Sequence, residues 1–323
     1  MRARPIGPSI QCALVTLRSP AVLFTLGTLI WGSTWLAIKF QLGVVSPDVS
    51  VAYRFAIASL LLGAWCFFTQ RGLRFPLATH KFLALQGVLL CGLNYVTVYW
   101  AEQYATSGLV AVLFSTIVFM TPIGARLVFG TPLTIRMFVA ASFGVLGIAL
   151  LFVPELSRAR YGGDAALGIV LGLVATAIAS AGTLASSRNH EAGIPVLPGA
   201  AWAMAYGALT AAIVAVLAGA RWSFDFRAAY VVSLLYLAVF GTVVAFGAYL
   251  TLIKLIGPGR ASYVSIATPI VAMALSTLFE GYTWTPLAAF GVVLAVLGNW
   301  LALAPRKATK SGSDSTYPGT VRS

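Results

Sequence analysis

The stretch Thr134–Leu150, TIRMFVAASFGVLGIAL, has a counterpart 151 residues later in Thr285–Leu301, TPLAAFGVVLAVLGNWL. Both copies lie in hydrophobic runs and share one skeleton. Its matching positions are Gly108, Thr134, Val145, Leu146, Gly147 and Leu150 in the first copy, and Gly259, Thr285, Val296, Leu297, Gly298 and Leu301 in the second. The chain therefore looks duplicated. If each copy holds five membrane-spanning helices, the second inserts upside down relative to the first, a plan typical of secondary transporters.

The composition indicates a membrane protein. Hydrophobic residues make up 59% of the chain and charged residues 9%, whereas an average soluble domain is about 25% charged. The net charge of +13 does not indicate nucleic acid, because the basic residues lie between apolar runs and not on one polar face. The three cysteines, Cys12, Cys66 and Cys91, give neither a disulfide framework nor a zinc spacing. We expect no metal and no cofactor.

The hydropathy pattern predicts ten transmembrane helices, each with roughly the 20 apolar residues that a span needs. The predicted spans are 21–43, 49–68, 82–101, 108–128, 134–153, 166–187, 197–219, 230–253, 260–279 and 285–303. The predicted fold is an all-α integral membrane protein with two inverted five-helix repeats. The predicted divisions are a cytoplasmic N-terminal tail at 1–20, repeats at 21–153 and 166–303, an extracytoplasmic linker at 154–165, and a disordered cytoplasmic tail at 304–323.

Loop charges set the predicted orientation, because lysine and arginine concentrate on the cytoplasmic side of a membrane protein. With the N-terminus inside, fifteen of the 21 basic residues fall inside and four fall outside, namely Arg158, Arg160, Arg221 and Arg227. Lys39 and Arg54 lie within spans. Most tryptophans fall near the two predicted interfaces, which agrees with the same count. We expect both termini in the cytoplasm and no cleaved signal peptide.

Particular motifs carry a family resemblance. The run Trp31–Lys39, WGSTWLAIK, precedes Pro47 and the tripeptide Tyr53-Arg54-Phe55. The second half holds Gly241-Thr242, Tyr249, Gly257-Pro258-Gly259-Arg260-Ala261, Pro269, Glu280 and the spacing from Gly291 to Gly298. These features resemble EamA-type transporters of the drug/metabolite transporter superfamily. The resemblance implies that small metabolites or drugs, often amino acids and their relatives, move outward through a central cavity between the halves.

Lys39 and Arg54 are the first candidates for a binding site, because a charge inside a span normally faces the protein interior or water. Both fall at similar depth in the outer half of the membrane. Together they predict a positive pocket for a carboxylate or phosphate group. The alternative for Lys39 is that it reaches the outer surface. The alternative for Arg54 is that it fastens helix 2 to backbone carbonyls or to Asp48 or Glu102.

Other candidates are polar or aromatic residues near mid-membrane. Trp31 and Tyr99 are candidate apolar walls, and the polar cavity candidates are Ser33, Thr34, Asn94, Tyr95, Ser180, Thr242 and Tyr249. A weaker repeat alignment, at an offset of 149 residues, aligns Trp31–Lys39 with Ser180–Arg188 and Thr34 with Thr183. The candidates for a hinge or gate are Pro258, Gly259 and Pro269.

Energy coupling has few candidate groups. All acids lie in loops or at span ends, and both histidines, His80 and His190, are expected in cytoplasmic loops. No buried proton relay is therefore evident. Proton antiport would use the outer-end acids Asp48, Glu102 or Glu280, and otherwise transport is facilitative.

The predicted function is secondary transport, with export of small metabolites or drugs from a bacterial-type inner (plasma) membrane by alternating access. One alternative is exchange of phosphorylated sugars or nucleotide sugars, which should require several cavity cations. Another is a sensor or structural membrane protein that transports nothing. We do not expect an enzyme, because no cluster of catalytic residues lies within the spans. The expected partners are a small-molecule substrate and the lipid bilayer, without nucleic acid, and the chain is expected to be a monomer or homodimer.

Overall fold

The computed structural model describes residues 19–41, 43–104, 110, 113–151, 153, 165–279 and 284–303. These residues form helices and loops without any strand, so the predicted all-α class is confirmed for this part of the chain. The helices are α1 Pro20–Lys39, α2 Pro47–Phe68, α3 Leu77–Tyr104, α4 Ile117–Phe129, α5 Ile135–Leu151, α6 Ala165–Glu191, α7 Val196–Leu217, α8 Ala228–Ile256, α9 Val264–Phe279 and α10 Pro286–Leu303.

Six of the described helices, namely α2, α3, α6, α7, α8 and α10, are long and apolar enough to cross a membrane. Several helices extend beyond the predicted spans, because helical hydrogen bonding continues into the flanking polar residues. His80 thus lies near the start of α3 and His190 in the last turn of α6, so the prediction that both histidines occupy loops was wrong. Most of the predicted N-terminal tail and linker, and all of the predicted C-terminal tail, lie outside the described residues.

Local sequence signals set several helix ends. Ser19 caps α1, and its hydroxyl oxygen accepts a hydrogen bond from the Val22 N–H at 3.2 Å. Pro20 and Pro47 occupy the first turns of α1 and α2, where a missing N–H costs nothing. Gly130, with φ of 68°, ends α4 in the left-handed region.

Both α3 and α8 contain a π-helical segment, Gly87–Leu93 in α3 and Val239–Val244 in α8. The segments end at residues 151 positions apart, the same offset as in the sequence repeat. A π segment widens the helix and releases carbonyl oxygens from the ordinary i to i−4 pattern. The α8 segment presents a backbone acceptor to side chains of other helices, and the α3 segment presents one to Asn94 of its own helix.

The helices pack mainly between the two halves of the chain. Helix α10 packs along α5, and α7 packs along α2. Helix α1 contacts α8 and α9, whereas α6 contacts α3 and α4. These contacts correspond between the halves when each helix number is changed by five: the α1–α8 contact matches α6–α3, and the α1–α9 contact matches α6–α4. Large apolar side chains on the outside, such as Leu77 at 89% exposure and Leu127 at 81%, suit a lipid environment.

The contact between α5 and α10 depends on two glycines of the repeated skeleton. A Cβ atom on Gly147 would lie 2.5 Å from both the Ala295 nitrogen and the Gly291 carbonyl oxygen. A Cβ atom on Gly298 would lie 2.6 Å from the Ala140 carbonyl oxygen and 2.7 Å from the Gly144 nitrogen. The contacts are reciprocal, since Gly291 and Ala295 are the repeat counterparts of Ala140 and Gly144. The helices therefore run antiparallel at backbone contact distance.

We predict that Gly147→Ala and Gly298→Ala each destabilise the protein by about 1 to 3 kcal/mol, because the added methyl group overpacks the contact between backbones. The measurement is thermal unfolding of the purified protein in detergent. Gly63→Ala is the control, because Gly63 lies in α2 and a Cβ atom added there would have no neighbouring atom within 4 Å. The control should be neutral or slightly stabilising. Equal melting temperatures for all three variants would contradict this account of the α5–α10 contact.

Candidate functional site

A central cavity lies between the two halves and encloses about 800 Å³ of space, its open mouth included. Its described lining comes from α1, α2, α3, α4, α6, α8 and α9, together with Phe114 just before α4. The lining residues are Trp31, Thr34, Ile38, Arg54, Leu90, Asn94, Tyr95, Val98, Phe114, Ile117, Ala179, Thr183, Phe246, Tyr249, Ser265 and Thr268. Among these residues one is a cation and none is a carboxylate.

Arg54 is fixed to the π segment of α8. Its side chain is 1% exposed. Its Nε donates to the Thr242 hydroxyl at 2.8 Å, and its Nη2 donates to the Gly241 carbonyl oxygen at 3.3 Å. The Trp31 Nε1 donates to the same carbonyl at 3.0 Å. A buried charge is tolerated only with such hydrogen bonds, so the π segment is what accommodates Arg54 in the bundle.

The remainder of the guanidinium faces aromatic rings. Its central carbon lies 4.9 Å from the ring centroid of Tyr95 and 5.6 Å from that of Phe55, distances typical of cation–π contact. The third nitrogen, Nη1, is buried without a hydrogen-bond partner. Of the two roles that the sequence left open for Arg54, the structure shows the anchoring one, and anion binding stays a prediction. Arg54 fastens α2 to backbone and hydroxyl acceptors, and it retains one unused donor.

Asn94 has a comparable arrangement at the π segment of α3. Its Nδ2 donates to the Leu90 carbonyl oxygen at 3.3 Å, and its Oδ1 is buried without a partner. Leu90 is the repeat counterpart of Gly241, 151 residues away. In both halves, therefore, a carbonyl at the same position of a π segment holds a polar side chain that lines the cavity.

Aromatic rings form another wall of the cavity. The ring centroid of Trp31 lies 5.3 Å from that of Phe246 and 4.9 Å from that of Tyr249. The Phe246 ring also lies 6.1 Å from Tyr95. These separations fall within the range for favourable aromatic pairs. The wall is therefore a connected cluster suited to an apolar group.

Two hydrogen bonds join residues that are close in sequence to the linings of the central cavity and of two further cavities. At the Gln41 end, the Tyr99 hydroxyl donates to Gln41 Oε1 at 3.2 Å. A cavity that spans about 1160 Å³, including the solvent to which it opens, is lined by residues that include Pro47 and Glu102. At the Pro258 end, the Thr121 hydroxyl donates to Ser180 Oγ at 3.2 Å.

The cavity at the Pro258 end is basic. It spans about 1620 Å³, including the solvent to which it opens, and its lining includes Arg136, Lys254 and Arg260 against one acid, Glu191, together with Pro258 and Gly259. Two of the candidate hinge residues therefore line this cavity. The third, Pro269, lies inside α9.

Comparison with known proteins identifies the family. Residues 18–153 and 166–304 each match the model of the EamA-like transporter family. The chain belongs to this family. The EamA-like chain is 31% identical to the uncharacterized inner membrane transporter YedA of Escherichia coli strain K12, with 84% of this chain and 89% of YedA covered. A probable amino-acid metabolite efflux pump of the same strain is 22% identical, with 92% and 99% covered.

A solved crystal structure shares the fold of this EamA-like transporter. Its TM-score is 0.71, with 19% sequence identity, and the match covers 88% of this chain and 96% of the other. The uncharacterized transporter YvbV of Bacillus subtilis strain 168 is 28% identical, over 91% of this chain and 94% of its own. The sequence-based family prediction is therefore confirmed.

The structure divides the predicted site residues of this EamA-like transporter. Those that line the central cavity are Trp31, Thr34, Arg54, Asn94, Tyr95 and Tyr249. Four others do not line it. The Ser33 hydroxyl hydrogen-bonds to the Tyr236 hydroxyl at 2.6 Å, and the Thr242 hydroxyl accepts a hydrogen bond from Arg54 Nε. Tyr99 and Ser180 make the hydrogen bonds with Gln41 and Thr121 described above. The side chain of Lys39 and all of Glu280 lie outside the described residues.

The remaining candidate acids lie toward the Gln41 end. Asp48 is in the first turn of α2, as expected for a span end, but it is only 3% exposed and its Oδ1 has no hydrogen-bond partner. The Trp100 indole is a hydrogen-bond partner of its carboxylate. Glu102 lines the cavity at this end. Neither acid lines the central cavity.

Sequence reasoning missed several lining residues, although the repeat contained a signal for them. Four pairs of lining residues are 151 positions apart, namely Tyr95 with Phe246, Val98 with Tyr249, Phe114 with Ser265, and Ile117 with Thr268. Thr34 and Thr183, which the sequence pairs at 149, also both line it. Projecting each first-half candidate onto the second half would have found Phe246.

We predict that Thr242→Val destabilises this EamA-like transporter by about 1 to 3 kcal/mol, because Arg54 Nε then loses a buried acceptor. Thermal unfolding in detergent measures the effect. Thr251→Val is the matched control, since the Thr251 hydroxyl bonds to the Gly247 carbonyl of its own helix at 2.6 Å. The control should shift stability by less than about 0.5 kcal/mol. The anchoring role fails if the two variants unfold at the same temperature.

Proposed function

We propose that the chain is a secondary transporter that exports small metabolites, such as amino acids and related compounds, or drugs by alternating access. The observation that carries this proposal is the central cavity, which both halves of the chain line and which holds a buried arginine with an unused donor. Substrate sites near the middle of the membrane, at the interface of two repeats, are typical of secondary transporters.

The proposed architecture is ten transmembrane helices in two inverted five-helix repeats at 21–153 and 166–303, with a linker at 154–165 and tails at 1–20 and 304–323. Three observations support it. The Gly147 and Gly298 contacts are reciprocal, the π segments of α3 and α8 occupy matching positions, and four pairs of cavity residues keep the 151 offset. Reciprocal antiparallel contacts between equivalent residues are expected of helices related by a two-fold axis.

The proposed cycle alternately opens the two ends of the central cavity. The Tyr99–Gln41 hydrogen bond is the proposed contact at one gate, and the Thr121–Ser180 hydrogen bond is the proposed contact at the other. In the proposed cycle, one of these two hydrogen bonds breaks while the other stays formed. Pro258, Gly259 and Pro269 are the proposed hinge, because Gly257, with φ of 82°, separates α8 from the short turn Pro258–Ala261. Breaking one neutral hydrogen bond costs about 1 kcal/mol, which suits a rapid opening.

The proposed location is the inner (plasma) membrane with both termini in the cytoplasm. Loop charges support the orientation, and a relative named as an inner membrane transporter supports the location. The basic cavity with Arg136, Lys254 and Arg260 then opens to the cytoplasm, where an exporter collects its substrate. The proposed assembly is a monomer or homodimer in the lipid bilayer, with no nucleic-acid partner.

Amino acids and their relatives are the preferred substrate class. One relative carries the name of a probable amino-acid metabolite efflux pump, and Arg54 offers a donor for a carboxylate. Phosphorylated or nucleotide sugars are less well matched, because the described lining of the central cavity holds one cation. A sensor or structural role and an enzymatic role are likewise disfavoured, since the family is a transporter family.

The experiment overexpresses the chain and tests resistance to a panel of toxic amino-acid analogues and drugs, with metabolite profiling of the medium. Purified protein in liposomes then tests export of the solutes that accumulate. We expect resistance and a matching rise of one solute class in the medium. If no compound gives resistance, the medium is unchanged, and no solute moves in liposomes, the transport proposal is wrong.

We predict that Arg54→Gln reduces efflux at least tenfold at equal membrane abundance, because the substrate loses its charged partner. Efflux of the solute identified above is the measurement, and immunoblotting and thermal unfolding control for folding. Arg126→Gln is the matched control, since Arg126 is exposed and its Nη1 donates to the Gly130 carbonyl. Normal efflux by a folded Arg54→Gln variant would exclude a binding role for Arg54.

We predict opposite results for topology reporters placed at the linker and at the C-terminus. A fluorescent protein fused after residue 303 should fluoresce, whereas alkaline phosphatase should be inactive there, because that end lies in the cytoplasm. Alkaline phosphatase fused within 154–165 should be active, since five crossings precede it. Active phosphatase at both positions would contradict the proposed inverted repeat.

A further inference from the structure

The cavity at the Pro258 end has an excess of positive charge. Its lining holds three cations, Arg136, Lys254 and Arg260, against one carboxylate, Glu191. Neither Lys254 nor Arg260 forms a salt bridge with another described residue. Like charges that share one cavity repel each other, and an anion bound among them removes that repulsion. The lining is therefore suited to an anionic ligand.

Two of these cations are held close together at the end of α10. Arg136 Nε donates to the Leu301 carbonyl oxygen at 2.7 Å, and Arg260 Nη2 donates to the Leu303 carbonyl oxygen at 2.6 Å. The two carbonyls are two residues apart in the last turn of α10, so they orient the two guanidinium groups as neighbours. The negative end of a helix dipole amounts to only about half a charge, so it offsets a part of the two positive charges.

The three cations come from different parts of the chain. Arg136 lies in the first turn of α5, Lys254 in the last turn of α8, and Arg260 in the short turn that precedes α9. A ligand that contacts all three needs acceptor oxygens that point in several directions. A phosphate group has at least three such oxygens and up to two negative charges, whereas a carboxylate has two oxygens in one plane. Phosphate is therefore the better match.

Apolar residues form another part of the same lining. Phe129, Leu133 and Ile256 line the cavity, and Ile135, directly before Arg136, is 80% exposed. Charged and apolar groups thus occur side by side, as they do in a phospholipid. Basic pockets between membrane helices are a recurring type of binding site for anionic lipid headgroups.

We propose that the cavity at the Pro258 end binds a phosphate group, held jointly by Arg136, Lys254 and Arg260. The phosphate belongs to an anionic phospholipid of the bilayer or is inorganic phosphate from solution. Bound there, it connects α5 of the first half to α8 of the second, next to the candidate hinge residues Pro258 and Gly259. The site is separate from the central cavity, and its occupancy does not depend on which solute the chain transports.

The test measures binding to the purified, lipid-depleted full chain in detergent. Native mass spectrometry compares dioctanoyl phosphatidylglycerol with dioctanoyl phosphatidylcholine, in which the choline cation compensates the phosphate charge. Isothermal titration calorimetry measures inorganic phosphate in a chloride buffer of constant ionic strength. The wild-type protein should bind inorganic phosphate, or should bind phosphatidylglycerol at least about fivefold more tightly than phosphatidylcholine.

Two cavity variants should weaken this binding. Lys254→Gln should weaken it about fivefold, and Lys254→Gln combined with Arg260→Gln about twentyfold, because each cation near an anionic group contributes separately. The matched control combines Lys81→Gln with Arg126→Gln, which removes the same two kinds of charge. Both control residues are exposed, and neither is among the described residues that line this cavity. The control should stay within about twofold of the wild type, and thermal unfolding without ligand checks that each variant is folded.

The two ligands distinguish the sources of the phosphate. If the cavity variants lose binding of phosphatidylglycerol and inorganic phosphate does not bind, the ligand is a lipid headgroup. The reverse result identifies free phosphate, and loss of both identifies the phosphate group that they share.

Three results would overturn the phosphate site. They are the absence of binding of both ligands to the wild-type protein, wild-type affinity in both cavity variants, and equal weakening by the cavity and control variants. The last would show a general attraction to a basic protein. None of these results bears on the proposed transport function, which the resistance and liposome experiments test separately.

Discussion

The hydrogen bonds between Arg54 and the π segment of α8 are the constraint on which the site depends. A guanidinium costs at least about 2.5 to 3.5 kcal/mol at the centre of a membrane, so the bundle must supply acceptors. Gly241 and Thr242 supply them because the π segment leaves a carbonyl oxygen outside the regular helical pattern. The same contact joins α2 to α8 and thus ties the first half of the chain to the second.

The repeat builds a symmetric scaffold around an asymmetric site. Reciprocal glycine contacts join α5 to α10, and matching π segments lie in α3 and α8. Yet the equivalent carbonyl oxygens of the two π segments accept from different groups. The Gly241 carbonyl accepts from the Arg54 guanidinium and the Trp31 indole, whereas the Leu90 carbonyl accepts from the Asn94 amide. Duplication therefore provides two equivalent backbone acceptors, and sequence divergence gives each a different partner.

Sequence reasoning predicted a depth for each candidate residue but not which side of its helix the residue occupies. Arg54, Asn94 and Tyr249 line the central cavity, whereas Ser33, which directly precedes the lining residue Thr34, bonds to Tyr236. Lipid is as apolar as the packed interior, so apolar residues surround a membrane helix and leave little sign of which side faces inward. The π segments change the rotation further, and no motif in the sequence predicted them.

By itself, the sequence determined the membrane class, the internal repeat, the family and the presence of a buried charge. These follow from composition, periodicity and residue identity, which are properties of the chain alone. Only the tertiary structure decided that Arg54 and Asn94 each bind a π carbonyl, and which of their atoms remain unpartnered. Those choices depend on how helices distant in the sequence rotate and pack against one another, because a hydrogen bond requires its two atoms within about 3 Å.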